Sequence, residues 1–483
     1  MSVLNNLKPE GVFKFFEAIS EIPRGSGDEK RVSDYLARFA VERNLFYHRD
    51  ETLNVLIKKP GSAGFETSPP VMLQGHMDMV CEKNSGTAHD FLNDPIKLIK
   101  EGDLIKADGT TLGADNGIAC AIMLALLDSD KTAHPPLEAV FTTNEEIGLE
   151  GAAAFDAGKL SATRMINLDG GREGIFTVSC AGGIKTSVTF EAEKTPAPDG
   201  SVFLRIDIKG LSGGHSGSEI HLGKANANVL MGRLLCGLYD KYGVSLAEIG
   251  GGMKDNAIPR ESYAVIAVRG SDAAGVENEI LSFEKIFKDE YSNTDPSLGA
   301  ACARVPQARA VFPDETGRNV AAAILLTPNG VLAMDKNIAG LVETSSNLGV
   351  ITTEGSKIIL TNALRSSVPS RKKLTEAKIF ALAGRLGAKA ESASDYPSWA
   401  YDENSELRKI FVETYTGLYG KEPIVRGLHA GLECGVFGGK MPGLDMIACG
   451  PDAYGAHTPD ESLSISSTAR FWEFIVEVLG RLK

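Results

Sequence analysis

The first third of the chain alternates short apolar runs with helical stretches. The runs at 53–59, 70–74, 137–143 and 164–168 show little alternation of apolar and polar positions, whereas 117–129 is long enough for a buried helix. Continuously apolar strands interleaved with helices are typical of a mostly parallel sheet covered on both faces. We therefore predict an α/β domain that begins in this region.

The pattern changes near residue 185. Residues 185–193 and 201–210 alternate strictly between apolar and polar positions, and residues 261–270 alternate more loosely. A period of two predicts strands with one exposed face, which usually form an antiparallel sheet. The other elements predicted here are helices at 225–242, 274–291 and 374–387 and strands at 321–334, 343–352 and 356–364.

The C-terminal part returns to the first pattern. It contains an amphipathic helix at 404–420 and a buried strand at 444–450. The simplest account is a discontinuous α/β domain, formed by residues 1–184 and 398–483, with a mostly parallel sheet flanked by helices. An α+β domain with an antiparallel sheet is inserted into it at residues 185–397.

Polar residues cluster where the apolar strands of the predicted α/β domain end. Ligands in open α/β sheets bind beyond the carboxyl ends of the strands, so these side chains are expected to converge on one crevice. The chain has only 8 histidines, and two of them lie in this set. The candidate residues are His76, Asp78, Asp115, Glu145, Glu146, Asp169 and His457.

Five carboxylates gathered without cations would repel one another, and some would have to take up protons. Two divalent metal ions would cancel that charge. Histidine and carboxylate ligands suit zinc, cobalt or manganese, and a carboxylate shared by two ions creates a site that activates water. Each residue alone has a more ordinary interpretation, such as a turn or a helix N-terminus, but their combination at strand ends favours metal binding.

Composition narrows the range of partners and compartments. The chain has 483 residues and a net charge of −13, which disfavours nucleic acid and anionic membranes as partners. No apolar stretch is long enough to span a membrane, and the first residues do not resemble a signal peptide. The seven cysteines form no Cys-x-x-Cys pair, which favours free thiols and a cytoplasmic location.

Short motifs surround the candidate ligands. They are GHMDMV, GADNGIA, TTNEEIG, NLDGG and GAHTPDE, and two further motifs are HAGLECG and GLSGGHSG. This ordered set resembles the M20 metallopeptidases, which are co-catalytic zinc exopeptidases. Within them it resembles the aminoacyl-histidine dipeptidases, also called cytosolic non-specific dipeptidases or peptidase D. The resemblance spans nearly the whole chain, and the predicted insertion agrees with the lid domain of that family.

The resemblance implies a role for each candidate in the α/β domain. His76 and Asp169 would bind one ion, Glu146 and His457 the other, and Asp115 would bridge them. Asp78 would fix the ring of His76 by accepting its other N–H. Glu145 would be the general base, since it neighbours a ligand without being one. The implied cofactor is a pair of divalent ions per subunit, with zinc expected first and cobalt or manganese as alternatives.

The resemblance also implies residues that contact the substrate. His215 would help to polarise the scissile carbonyl, and in several relatives this histidine reaches the site of a neighbouring subunit, so a homodimer is expected. Asn256 and Arg365 would hold the substrate carboxylate. His429 and Glu433 are placed near the site with their roles open. On the residues alone, His215 could equally belong to a glycine-rich turn.

The resulting hypothesis is a dinuclear metal dipeptidase that hydrolyses unblocked dipeptides, including Xaa-His. An N-acyl amino acid amidohydrolase or a tripeptide aminopeptidase would use a similar set of metal ligands. A non-catalytic dimeric binding protein on the same fold is a remote alternative, because such proteins typically lose a ligand or the base.

Overall fold

The computed structural model describes residues 3–306 and 310–483. The helices are α1 (Glu10–Ser20), α2 (Lys30–Glu42), α3 (Ala114–Asp128), α4 (Glu150–Ala154), α5 (Ala227–Tyr242), α6 (Ala273–Glu290), α7 (Asp314–Leu326), α8 (Pro369–Arg385), α9 (Glu406–Tyr419), α10 (Glu433–Lys440) and α11 (Ile465–Arg481). Within the described residues, none of these helices combines the length and apolar character needed to cross a membrane.

The strands fall into two large sheets and several small ones. They are β1 (Phe46–Arg49), β2 (Val55–Lys59), β3 (Val71–His76), β4 (Leu98–Glu101), β5 (Leu104–Ala107), β6 (Leu137–Thr142), β7 (Arg164–Asn167), β8 (Ile175–Cys180), β9 (Gly182–Glu191), β10 (Thr195–Pro196), β11 (Ser201–Lys209), β12 (Gly214–His215), β13 (Ser245–Gly251), β14 (Ala257–Ile258), β15 (Ser262–Arg269), β16 (Gly299–Val305), β17 (Ala310–Val311), β18 (Gly330–Met334), β19 (Val342–Glu354), β20 (Lys357–Ser366), β21 (Lys389–Tyr396), β22 (Ile424–Leu428), β23 (Asp445–Ala448), β24 (Ala453–Tyr454) and β25 (Ser462–Ser464).

The chain forms two compact units. The first runs up to Ser179 and also contains Trp399–Gly427 and Leu432–Lys483, while the second contains Cys180–Ser398 and Leu428–Gly431. The sequence placed the corresponding boundaries at 184/185 and 397/398.

The first unit is built on a sheet with the strand order β1-β2-β6-β3-β7-β23-β8-β22. Its central strands β6, β3, β7 and β23 are parallel, and antiparallel strands flank them. Helix α3 packs against β3 closely enough that Gly75 has no room for a side chain. A Cβ there would lie 2.5 Å from Asn116 Oδ1 and 2.7 Å from Ala119 Cβ. This contact brings the start of α3 next to the end of β3.

The second unit is built on an antiparallel sheet with the order β16-β11-β15-β13-β19-β20-β9-β21, and β18 pairs with β19. The alternation predicted for β11 is observed, since Leu204, Ile206 and Ile208 are buried in one apolar cluster with residues of α5. Both units together give the predicted fold class, an α/β sheet with an inserted antiparallel α+β part.

One predicted strand is wrong. Residues 321–326 belong to helix α7, and only Gly330–Met334 of the predicted stretch 321–334 forms a strand. Val320, Ala321 and Ile324 are buried at helical spacing, and acidic residues occupy the first turn of α7, where they favour the helix dipole. A continuous apolar run does not distinguish a buried strand from a buried helix, which explains the error.

Candidate metal centre

The candidate ligands come from neighbouring element ends of the first unit. Strand β3 ends at His76, and the turn after β6 carries Glu145 and Glu146. Asp169 follows β7, and Asp115 lies in the first turn of α3. Because β6, β3 and β7 are adjacent and parallel, their carboxyl ends lie at the same edge of the sheet.

Asp115 lies between the two histidines. Its Oδ1 is 3.2 Å from His76 Nε2, and its Oδ2 is 3.4 Å from His457 Nε2. His76 Nε2 is also 4.0 Å from Asp169 Oδ1, while His457 Nε2 is 3.0 Å from Glu146 Oε1. One oxygen of Asp115 thus faces His76 and Asp169, and the other faces His457 and Glu146.

This arrangement fits a metal. Ligand atoms of His76, Asp115 and Glu146 lie within 4.8 Å of one another, close enough to hold an ion. Imidazole nitrogens and carboxylate oxygens are suitable donors for divalent ions such as zinc. Potential metal ligands thus lie next to each of the two carboxylate oxygens of Asp115.

Asp78 holds the ring of His76 from behind. Its Oδ1 is 3.3 Å from His76 Nδ1, and its carboxylate accepts hydrogen bonds from the backbone N–H groups of Glu145 and Glu146 and from the Ser26 hydroxyl, at 3.2, 3.3 and 2.8 Å. Burial opposes ionisation, but the hydrogen bond with His76 and the others lower the pKa of Asp78. The ionised carboxylate therefore turns His76 Nε2 towards Asp115.

The crowded carboxylates are costly to ionise together. Burial, reinforced by the charges of Glu433, Glu146 and Asp115, raises the pKa of Glu145 to about 8. Burial and the charge of Asp115 raise the pKa of Asp169 well above its usual value. Divalent cations would remove this repulsion, so the electrostatics of the residues, like their geometry, fit a metal centre.

Glu433 lies beneath the same edge of the sheet, in the first unit. It is fully buried, and its Oε2 accepts hydrogen bonds from Gln74 Nε2 and from Thr142 Oγ1, the latter at 2.9 Å. Within the described part of the chain its Oε1 has no hydrogen-bond partner. Burial raises the pKa of Glu433 to about 7.

The other predicted substrate-binding residues lie in the second unit. His215 and Asn256 are neighbours, because β12 pairs with β14 and the Ser216 N–H donates to the Asn256 carbonyl at 2.9 Å. Arg365 Nη1 donates to the Tyr396 hydroxyl at 2.9 Å.

The ring of His215 has a defined tautomer. Its Nδ1 accepts hydrogen bonds from the N–H groups of Gly217 and Ser218 at 3.2 and 3.1 Å. Burial, helped by the charge of Arg365, lowers the pKa of His215. The neutral ring therefore carries its proton on Nε2, which is available as a hydrogen-bond donor.

His429 is held within the second unit. Its Nε2 lies 2.7 Å from Ser345 Oγ, and Ser345 pairs with Arg365 across β19 and β20. Burial, with the nearby charge of Arg365, lowers the pKa of His429 to about 3. The ring is neutral at physiological pH.

Two buried residues that contact the ligand-bearing loops, Arg24 and Glu461, were not among the residues predicted from the sequence. Glu461 ends the GAHTPDE motif, so its position was visible in the sequence. Its carboxylate accepts backbone hydrogen bonds from residues 112, 113 and 115, a contact that only the folded chain reveals.

Comparison with known protein families identifies the chain as a peptidase. The sequence model of Peptidase family M20/M25/M40 matches residues 72–481, and the chain belongs to this family. It is therefore a peptide-bond hydrolase, and the family predicted from the motifs is confirmed.

Within this family, the chain is similar to dipeptidases over its full length. The chain is 37% identical over 482 residues to the cytosol non-specific dipeptidase of Escherichia coli (strain K12), covering 100% of this chain and 99% of the relative. The crystal structure of the aminoacylhistidine dipeptidase from Vibrio alginolyticus superimposes with a TM-score of 0.93 at 37% identity, covering 99% of this chain and 98% of that one. Aminopeptidase PepT from Bacillus cereus shares the fold, with a TM-score of 0.58 at 15% identity and 99% coverage of both chains.

Proposed function

We propose that this protein is a dipeptidase that uses two divalent metal ions to hydrolyse unblocked dipeptides, including Xaa-His. The observation that supports two ions most directly is the position of Asp115, whose two oxygens lie 3.2 Å from His76 Nε2 and 3.4 Å from His457 Nε2. The dipeptidase activity is inferred from the similarity to the Escherichia coli and Vibrio alginolyticus proteins over the full chain.

The proposed ligands divide into two groups around the shared carboxylate. His76 and Asp169 would hold one ion, and Glu146 and His457 would hold the other. Asp115 would contribute to both sites. Zinc is the first choice for this donor set, with cobalt or manganese as alternatives. When bound, such ions supply Lewis acidity that polarises a peptide carbonyl and makes water more acidic.

Glu145 would move the proton. Its Oε2 lies 4.0 Å from His76 Nε2. Glu145 therefore lies next to the proposed ligands, and because it is not one of them, its carboxylate would remain able to accept a proton. As general base it would accept a proton from the attacking water, and as general acid it would return this proton to the leaving amine. Asp78 would keep His76 oriented throughout the reaction.

Residues of the second unit would bind the substrate. The Nε2–H of His215 is suited to donate a hydrogen bond to the carbonyl oxygen as it gains charge. Asn256 and Arg365 would hold the free carboxylate of the dipeptide. His429 in the second unit and Glu433 in the first would also contribute to substrate binding. The family resemblance further implies a homodimer, and we include it in the proposal.

The proposed setting is the cytoplasm, with small peptides as partners rather than nucleic acid or membranes. No cysteine of the described residues forms a disulfide, which is typical of a reducing compartment, and the Escherichia coli relative is named as a cytosol enzyme. The net charge of −13 disfavours binding to nucleic acid or anionic lipid.

A substrate panel tests the proposal. Metal-loaded protein is assayed with alanyl-histidine, its N-acetylated analogue and a tripeptide. A dipeptidase should cleave the free dipeptide rapidly and the other two compounds only slowly. Preference for the acetylated compound would indicate an amidohydrolase, and preference for the tripeptide would indicate an aminopeptidase. Absence of any cleavage would favour a binding protein.

A further inference from the structure

The loop that carries Asp115 is held from two sides by buried charged residues. Arg24 is 1% exposed and Glu461 is 2% exposed, so both are withdrawn from solvent. Burying a charge is costly unless hydrogen bonds replace its hydration. Neither residue takes part in the proposed proton transfer, so the burial of these two charged side chains requires another explanation.

Glu461 accepts hydrogen bonds from backbone N–H groups just before α3 and in its first turn. Its Oε2 accepts from Leu112 and Gly113 at 2.8 and 2.9 Å, and its Oε1 accepts from Asp115 at 3.0 Å. The first N–H groups of a helix have no partner within the helix, and an acidic residue in the first turn often takes them. Because Glu461 accepts these hydrogen bonds, the carboxylate of Asp115 is not needed to cap the helix.

Arg24 holds the other side of the same loop. Its Nη2 donates to the Gly113 carbonyl at 2.5 Å, and its Nη1 donates to the carbonyls of Met77 and Asp78 at 3.0 and 3.1 Å. The guanidinium thus ties the loop before Asp115 to the segment that follows His76. The fixed fork of an arginine is suited to several carbonyls at defined positions.

The geometry points to Arg24 and Glu461 as positioning residues that keep both oxygens of Asp115 free for metal ions. This inference rests on the proposed function, since it assigns the two residues to the dinuclear site. Glu461 provides the helix cap, Arg24 fixes the loop relative to His76, and Asp115 keeps its contacts with both histidines. Both positioning residues bind backbone groups, and neither is one of the proposed metal ligands or substrate-binding residues.

The test measures metal binding rather than turnover. Metal-free wild-type protein and the variants Glu461→Gln, Arg24→Lys and Arg24→Met are titrated with Co²⁺, following heat release and the visible absorption of the ion. Residues that orient ligands typically change metal affinity 10–100-fold when replaced. We expect Glu461→Gln and Arg24→Met to lose at least about tenfold in affinity for one or both ions and to show an altered Co²⁺ spectrum. Arg24→Lys should recover part of the loss.

Glu138→Gln is a matched control. Glu138 is a buried carboxylate that accepts backbone hydrogen bonds from Ser161 and Ala162, but it lies at the opposite end of β6 from the site. This variant should lose thermal stability while binding Co²⁺ like the wild type.

Three results separate the possibilities. Wild-type affinity and spectrum in Glu461→Gln, or in Arg24→Met should Glu461→Gln not fold, would overturn the inference. An equal loss of affinity in Glu138→Gln would also overturn it, since a general loss of stability would then explain the effect. Wild-type protein that binds no divalent ion would instead contradict the proposed function itself.

Discussion

Glu145 and Asp78 show how neighbouring carboxylates acquire different properties at the scale of single residues. Asp78 receives hydrogen bonds from two backbone N–H groups and a hydroxyl, and these contacts together with His76 keep its pKa low. Glu145 is buried among other carboxylates, and its pKa is raised to about 8. The first is suited to hold a ring in place, and the second to exchange a proton.

Replacement of Glu145 tests this division. Glu145→Gln keeps the size of the side chain and removes its ability to accept a proton. We expect kcat on a dipeptide to fall about 10²–10⁴-fold, the usual contribution of a general base. Metal content, measured by elemental analysis, should remain that of the wild type. Retention of near-normal turnover would refute the assignment of the base.

Glu138 gives a prediction of pH dependence away from the metal centre. Burial opposes its ionisation, but Lys58 and the groups of Ser161 and Ala162 lower its pKa below the usual 4.5. A carboxylate with a lowered pKa in the folded state stabilises the protein above about pH 4.5, and this contribution is lost as the pH falls through the lowered value.

Glu138→Gln should therefore reduce the free energy of unfolding by roughly 1.5–3 kcal/mol at pH 7, as expected for hydrogen bonds to a charged group. Urea denaturation at pH 7 and below pH 4 measures the difference from the wild type. The difference should shrink at the lower pH. A difference that is the same at both pH values would contradict the role of the charge.

At the scale of residues, the candidates that could be identified from the sequence have side chains that commonly bind metals and lie at a predicted strand end or helix start. His76, Asp115 and Asp169 follow strands or open a helix, so their convergence could be predicted from the topology. Arg24 and Glu461 bind backbone groups far away in the chain, and such contacts have no local pattern. Their role follows only from the folded structure.

At the scale of elements, the close approach of β3 and α3 determines where the ligands meet. Gly75 permits this approach because a Cβ would collide with Asn116 and Ala119 of α3. The Asn116 side chain in turn accepts from the His76 N–H at 3.2 Å and donates to the Leu168 carbonyl at 3.1 Å. The ends of β3 and β7 and the start of α3 are thereby joined.

Gly75→Ala tests this packing. The added methyl group should force β3 and α3 apart and reduce the free energy of unfolding by about 1–3 kcal/mol, the typical cost of overpacking. Chemical denaturation measures the change. Gly417→Ala in α9 is the control, since nothing lies within 4 Å of its Cβ position, and it should stabilise the helix by about 0.5–1 kcal/mol. Equal effects of both substitutions would contradict the account.

Most elements could be predicted because their periodicity agrees with their burial. Residues 321–326 were wrongly predicted as a strand because they form an apolar run at the end of α7. The acidic residues that mark the first turn of this helix lie before residue 321, outside the predicted strand. The antiparallel pairing of β1 with β2 and of β2 with β6 was not predicted either. Strand partners depend on tertiary contacts, and periodicity alone does not specify them.

At the scale of the whole molecule, the proposed metal centre depends on segments far apart in the chain. His76, Asp115, Glu146 and Asp169 precede the second unit in sequence, whereas His457 and Glu461 follow it. The first unit is complete only when its C-terminal segments have joined the sheet through β23. We infer that metal binding stabilises the joined state, because ions that bind only the folded form favour it by mass action.

Metal dependence is the most direct test of the central claim, a site for two ions. The protein is stripped with a chelator, dialysed and titrated with Zn²⁺, Co²⁺ or Mn²⁺ while alanyl-histidine cleavage and bound metal are measured. A site for two ions predicts no activity without metal and full activity at two ions per chain. Undiminished activity of the stripped protein, or full activity with a single bound ion, would contradict it.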